Sequence, residues 1–347
     1  MSENGGPIHD RRRQIVAELL LVAVTAVWGW TFVMVKDAVA LLPPLPFIAI
    51  RFGLATIVVA LGLSISRRWS TAARRSASGH GHQAAHAAAI GITAAHGDPA
   101  TRAAGSAGVR GAVRAGAIMG VFLGAGYIFQ TFGLQRTTPS NAGFITGMFV
   151  VLVPVMQGVV WRTWPDRRAV VGVALAAFGL FLLSGGSSGL NFLGDGLVFL
   201  CALSFAAHIL ATSRYARHHD AAVLTVVQLG VVALLSGALS VVGWAMGYPL
   251  DLGGVWDPTV LLALGVTALF ASAAAFYIQT FAQRYASPTR TAVILTMEPV
   301  FAGVFGYTLA GDRLSPVAWL GAAAILCGML ASEFRTPGRR RREGASM

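Results

Sequence analysis

Charge is what this sequence has least of. Of 347 residues only 12% are Asp, Glu, Lys or Arg, while 55% are hydrophobic. A soluble domain carries about a quarter charged residues, so a water-facing surface of ordinary composition is excluded. Cysteine is nearly absent. Cys201 and Cys327 both lie inside apolar runs, which excludes a disulfide framework and reads them as small buried hydrophobes. Lysine is rarer still, with Lys36 alone against 25 arginines, a bias that fits a bacterial plasma (inner) membrane protein from a GC-rich genome. No Walker-type glycine loop and no His-Glu-x-x-His occurs, so the sequence offers no site for ATP hydrolysis or zinc proteolysis. No enzymatic activity and no cofactor are expected.

What is present is apolar length. Runs fall at about 17–40, 45–66, 114–135, 140–161, 168–187, 194–213, 221–247, 258–283, 288–310 and 314–333. Each can cross a ~30 Å hydrocarbon layer as a helix rising ~1.5 Å per residue. They are too long and too continuous for barrel strands. The first run is also too long for a signal-peptide core and is read as a span. The expected fold is an all-α membrane protein of ten transmembrane helices.

The formal charge of +12 is not that of a nucleic-acid binder, because it lies in short stretches between apolar runs rather than on one domain. All but four of the 26 basic residues fall in alternate connections, the exceptions being Lys36, Arg51, Arg136 and Arg313. The positive-inside rule then puts both termini in the cytoplasm.

The chain also resembles itself. Gln130-Thr131-Phe132 returns as Gln279-Thr280-Phe281, Thr138-Pro139 as Ser287-Pro288, Gly172 as Gly321 and Gly179 as Gly328, all at an offset of 149 residues. Pro154 and Pro299 are candidate helix kinks in corresponding spans. Five spans per copy is an odd number, so the second copy must enter the membrane from the opposite side. Inverted repeats around a central site are common in secondary transporters. The expected organisation is a cytoplasmic tail 1–16, a first five-helix repeat 17–188, a second 189–334 and a basic cytoplasmic tail 335–347. An insert at 67–113, rich in Ala, Gly, Ser, Arg and His, reads as a disordered cytoplasmic linker. Its His80, His82, His86 and His96 form no defined metal site.

Several motifs bring a family into view. Trp28-Gly29-Trp30-Thr31-Phe32 with Lys36, the Arg51-Phe52 pair, Ser140-Asn141-Ala142-Gly143-Phe144 before Val153-Pro154, and Glu298-Pro299-Val300-Phe301 before Asp312-Arg313-Leu314 resemble the drug/metabolite transporter superfamily, EamA type. The resemblance runs over about 17–334. It implies a ten-helix carrier for a small organic metabolite or drug, a cavity between the halves, and export as the commoner direction. The insert 67–113 departs from it, being longer than the usual connection.

Ionisable groups inside a membrane are costly and point to function. Glu298, ten residues beyond Pro288 and so about 15 Å deep, is the candidate for substrate or proton handling. A structural partner for backbone amides or an internal arginine is the alternative. Arg51 either contacts substrate or pairs with Asp37. His208, near mid-depth, is a candidate proton relay or an interhelical hydrogen-bond group. Trp28, Trp30 and Tyr277, with Tyr127, Phe144 and Phe301, are candidate cavity aromatics. Gln130 and Gln279 are repeat-related polar candidates, and Asn141 is either a substrate contact or an N-cap. The partners expected are a small organic solute, the lipid bilayer and protons. A membrane sensor or assembly partner, and an enzyme acting on a lipid or isoprenoid, remain the competing functions.

Overall fold

The computed structural model describes residues 7–77, 106–134, 136–137, 139–183, 191–248, 250–309 and 315–333. Helix is the only regular structure among the described residues apart from a short 3-10 turn at Gly253–Trp256. The helices are α1 (Pro7–Leu41), α2 (Pro44–Ala77), α3 (Ser106–Leu134), α4 (Pro139–Gly147 and Phe149–Trp161), α5 (Arg167–Leu183), α6 (Phe192–Tyr215) and α7 (Ala221–Ala245). Then come α8, from Pro258 through a π-helical stretch Thr267–Ala274 to Ala282, α9 (Pro288–Leu295 and Met297–Leu309) and α10 (Pro316–Glu333). Seven stretches, in α1 to α4 and α6 to α8, are long and apolar enough to cross a membrane.

Local chemistry sets many of these boundaries. Asn191, Asp220, Asp257 and Ser287 each accept a backbone N–H of the following turn, capping α6, α7, α8 and α9, where the first N–H groups have no helical partner. Proline at the start of α8 and α9 has its fixed φ and no N–H to satisfy. In α9 the ring of Pro299 removes the donor that the Leu295 carbonyl would otherwise receive, and the helix breaks at Thr296, between the segments ending at Leu295 and beginning at Met297. The corresponding α4 is interrupted at Met148.

Two expectations change here. The segment 67–113 is helical at both ends, since α2 runs on to Ala77 and α3 begins at Ser106. Continuing an existing helix needs no new nucleation, and Ala and Arg favour it. The four insert histidines lie outside the described residues. Asn141 is not an N-cap, because α4 already begins at Pro139.

The helices pack through small residues, which let backbones approach closely where lipid leaves no hydrophobic drive between helices. Gly116, Gly120 and Gly124 of α3 face Val227, Val231 and Leu235 of α7, so the two run parallel. Gly230 and Gly237 of α7 face Thr56 and Ala49 of α2, an antiparallel pair. In the pairing of α5 with α10, Gly172 meets Gly328 and Gly179 meets Gly321. The outer surface is apolar, with Val159, Phe178 and Leu234 more than half exposed, as a lipid-facing surface requires. The inner cores lie between α1, α4, α6, α8 and α9, and between α2, α3, α7 and α8.

Candidate functional site

Between these cores lies a cavity of about 500 Å³, within the roughly 300–1,000 Å³ of small-molecule sites. Four helices each contribute an aromatic residue and, three positions on, a polar one. The pairs are Trp28 and Thr31, Tyr127 and Gln130, Phe205 and His208, and Phe276 and Gln279. Residues three apart share a helix face, so an aromatic-x-x-polar spacing delivers a ring and a polar tip to the same wall. The rings meet one another: Tyr127 is edge-on to Phe52 and Phe205, and Trp28 is tilted against Phe276 at 5.5 Å between centroids.

Arg51 and Trp28 are fixed by one stretch of backbone. The Trp28 indole N–H donates to the Ala271 carbonyl at 2.8 Å. Arg51 donates through Nε to Ser272 Oγ at 2.8 Å and through Nη2 to the same Ala271 carbonyl at 3.4 Å. Ala271 and Ser272 sit in the π-helical stretch of α8, a wider coil that is often found at functional sites. The Arg51 guanidinium also lies 5.3 Å from the Phe52 ring and 5.9 Å from the Tyr127 ring, where the aromatic faces attract it. The expected pairing with Asp37 is not formed. Asp37 is exposed, whereas Arg51 is buried against α8.

Glu298 follows the break in α9 and faces the cavity. It makes no hydrogen bond or ion pair among the described residues, so the structural-partner alternative finds no counterpart there. His208 Nε2 lies 2.8 Å from Gln228 Oε1 and 3.4 Å from Thr212 Oγ1, and Gln228 Nε2 donates to Thr280 Oγ1 at 3.0 Å. This ties α6, α7 and α8 together. Gln130 Nε2 donates to Thr146 Oγ1 at 3.4 Å. Gln279 is 2% exposed and its Oε1 is buried without a partner.

The cavity is closed at one end. Beyond Phe149, Ile209 and Leu295 lies a packed plug that includes Ala17, Leu21, Val153 and Ala292. Past it Arg290 Nη1 lies 3.6 Å from Glu18 Oε1, and Thr289 Oγ1 donates to Gln157 Oε1 at 3.2 Å. In the other direction the lining reaches Val39 in the last turn of α1 and Pro44 and Phe47 at the start of α2.

Of the residues singled out from sequence, the structure brings Trp28, Arg51, Tyr127, Gln130, His208, Gln279 and Glu298 to this one cavity. It does not bring Trp30 or Tyr277, which are 39% and 40% exposed and outside the lining. Phe144 packs on Phe181 and Phe301 on Phe305, away from it. The side chain of Asn141 lies outside the described residues. Pro154 is buried within α4. Phe205, Phe276, Thr31 and Thr146 were missed, and for the first three the signal was the three-residue spacing.

A polar-tipped aromatic chamber inside a helical body with an apolar exterior is the form of a membrane transporter, and the chain's relatives agree. The EamA-like transporter family matches residues 15–185 and again 192–332, and the chain belongs to that family. It is 31% identical over 323 residues to an uncharacterized transporter of Archaeoglobus fulgidus, covering 93% of this chain and 87% of the relative. It is 20% identical over 320 residues to the uncharacterized transporter YoaV of Bacillus subtilis, covering 90% of this chain and 95% of that protein. A solved crystal structure shares the fold with a TM-score of 0.67 at 16% identity, over 92% of this chain and 98% of the other. The protein is a multi-pass membrane transporter.

Proposed function

We propose that the chain is a secondary carrier that exports a small organic solute across the plasma membrane by alternating access. In this reading ten crossings form two inverted five-helix halves, with both termini in the cytoplasm. The observation that carries it is a chamber lined from both halves and backed at one end by a packed plug. Trp28, Arg51, Tyr127 and Gln130 come from the first half, and Phe205, His208, Phe276, Gln279 and Glu298 from the second. The plug and the Glu18–Arg290 pair occupy one end, as an outward-facing state needs. The contacts of Gly172 with Gly328 and Gly179 with Gly321 support the inverted halves. The four glycines are exchanged by the same offset of 149 residues that relates the two Gln-Thr-Phe segments, and their helices run antiparallel.

Alternating access moves the seal from one end to the other while the chamber stays between the halves. Glu298 and His208 are the groups through which a proton would be exchanged for solute. Purified protein in proteoliposomes should show counterflow, and flux should follow an imposed pH gradient. Glu298→Gln should abolish that dependence in a protein that remains folded. Solute moving in one direction only, without counterflow, would remove the carrier reading.

A further inference from the structure

The chamber's hydrogen-bonding groups are unevenly committed, and the imbalance describes what they would accept. The Trp28 indole N–H is used by Ala271, Arg51 Nε and Nη2 by Ser272 and Ala271, and Gln130 Nε2 by Thr146. Arg51 is 6% exposed and held beside two aromatic faces, with Nε and Nη2 turned to α8. Two acceptors stand out. Glu298 has no hydrogen bond or close ion pair among the described residues, and Arg51 acts on it only through space. Gln279 Oε1 is buried in the same wall without a donor, and a buried acceptor left unmet is costly. Around both stand the faces of Trp28, Tyr127, Phe205 and Phe276, which attract a cation desolvated among them.

We infer that the solute of this chamber is a small organic amine bound as its ammonium, with Glu298 as counter-ion, Gln279 Oε1 as a second acceptor and the aromatic wall around its apolar body. The inference rests on the carrier reading of the same chamber and adds the charge and donor count of the occupant. A zwitterion would have to bring its carboxylate to Arg51, whose Nε and Nη2 are already bonded to Ser272 and Ala271. An anionic solute would bring a like charge to Glu298 and leave Gln279 Oε1 without a donor.

Four probes with one phenyl ring and different charge separate these cases: 2-phenylethylamine, phenylalanine, 3-phenylpropanoate and 2-phenylethanol. Their binding to the full-length protein is measured by calorimetry at neutral pH, with counterflow followed separately. 2-Phenylethylamine should bind about tenfold or more tightly than the other three, the scale of a charge-assisted hydrogen bond. Glu298→Gln should erase that preference while 2-phenylethanol binding and the thermal midpoint stay as they were. Gln279→Leu, which keeps the carboxylate, should weaken amine binding but leave the order of the four probes intact. Equal binding of phenylalanine or 3-phenylpropanoate would overturn the inference. So would an amine affinity unchanged in Glu298→Gln, or no binding of any probe. Amine binding without counterflow would instead count against the carrier reading and leave the ligand class standing.

Discussion

A Cβ added to Gly172 would stand 2.7 Å from the carbonyl oxygen of Gly328, and one added to Gly328 would stand 2.7 Å from the carbonyl oxygen of Gly172. Seven residues along each helix, Gly179 and Gly321 repeat the relationship at 2.5 Å in both directions. The atoms opposed are backbone, which cannot swing aside as a side chain can. This reciprocal contact locks α5 to α10.

Gly179→Ala sets two effects against each other. Alanine gains about 1 kcal/mol of helix propensity over glycine, while overpacking a close contact costs about 1–3 kcal/mol. The clash should win, lowering the thermal midpoint in detergent. Gly62→Ala in α2, where a Cβ meets nothing within 4 Å, should leave the midpoint unchanged or raise it. A stabilised Gly179→Ala protein would show that α5 and α10 are not in contact as described.

Ser272→Ala should cost stability and transport together. It leaves Nε of the buried Arg51 without its acceptor, a loss of about 1–3 kcal/mol. Arg51→Lys should fare no better, because a single ammonium cannot reproduce the fork to Ser272 and Ala271. Ser272→Thr retains the hydroxyl and should keep most of both properties. Unfolding midpoints and initial rates in vesicles check all three.

The Glu18–Arg290 pair, 12% exposed at each side chain, should latch the sealed end. Charge reversal at either position should expose the plug, and Glu18→Arg combined with Arg290→Glu should restore the seal. In a Cys327→Ala background, the rate at which an impermeant thiol reagent labels Ile209→Cys from the Glu18 side reports the seal. Equal labelling in all variants would mean that the pair is incidental.

His208 and Gln228 should couple. Removing either leaves the other buried without its partner, so a double-mutant cycle of His208→Phe and Gln228→Leu should give an interaction of about 0.5–3 kcal/mol. Additive losses would show that His208 and Gln228 do not stabilise each other.

Outside the membrane, partial burial, and then the neighbouring His218, hold the His219 imidazole below the ordinary histidine range. The unfolded chain therefore takes up that proton first as pH falls. His219's contribution is whole above the unfolded value of about 6.5 and is lost as pH drops through the lower folded value. Because the ring is only partly buried, the effect is small. The thermal midpoint should decline slightly from about pH 7 to 5, and His219→Gln should flatten part of that decline. An identical slope in the variant would exclude His219 as its source.

The sequence alone determined the solvent. Long uncharged runs leave no alternative to hydrocarbon, because helices must satisfy their own backbone groups there. It also determined the repeat and several individual candidates, since Glu298, His208 and Arg51 are conspicuous where charge is scarce. What it could not decide was which candidates share a chamber. Trp28 and Trp30 are two residues apart, and on a helix that spacing places them on different faces, one over the cavity and the other outside it. Asp37 is near enough in sequence to suggest a partner for Arg51, yet the tertiary packing brings α8 there instead, with its π-helical turn offering a carbonyl and a hydroxyl. Nothing in the apolar run 258–283 marks that turn. It packs against α2 and α1, and in a bundle the neighbour across the groove, not the neighbour along the chain, determines what a buried charge can touch.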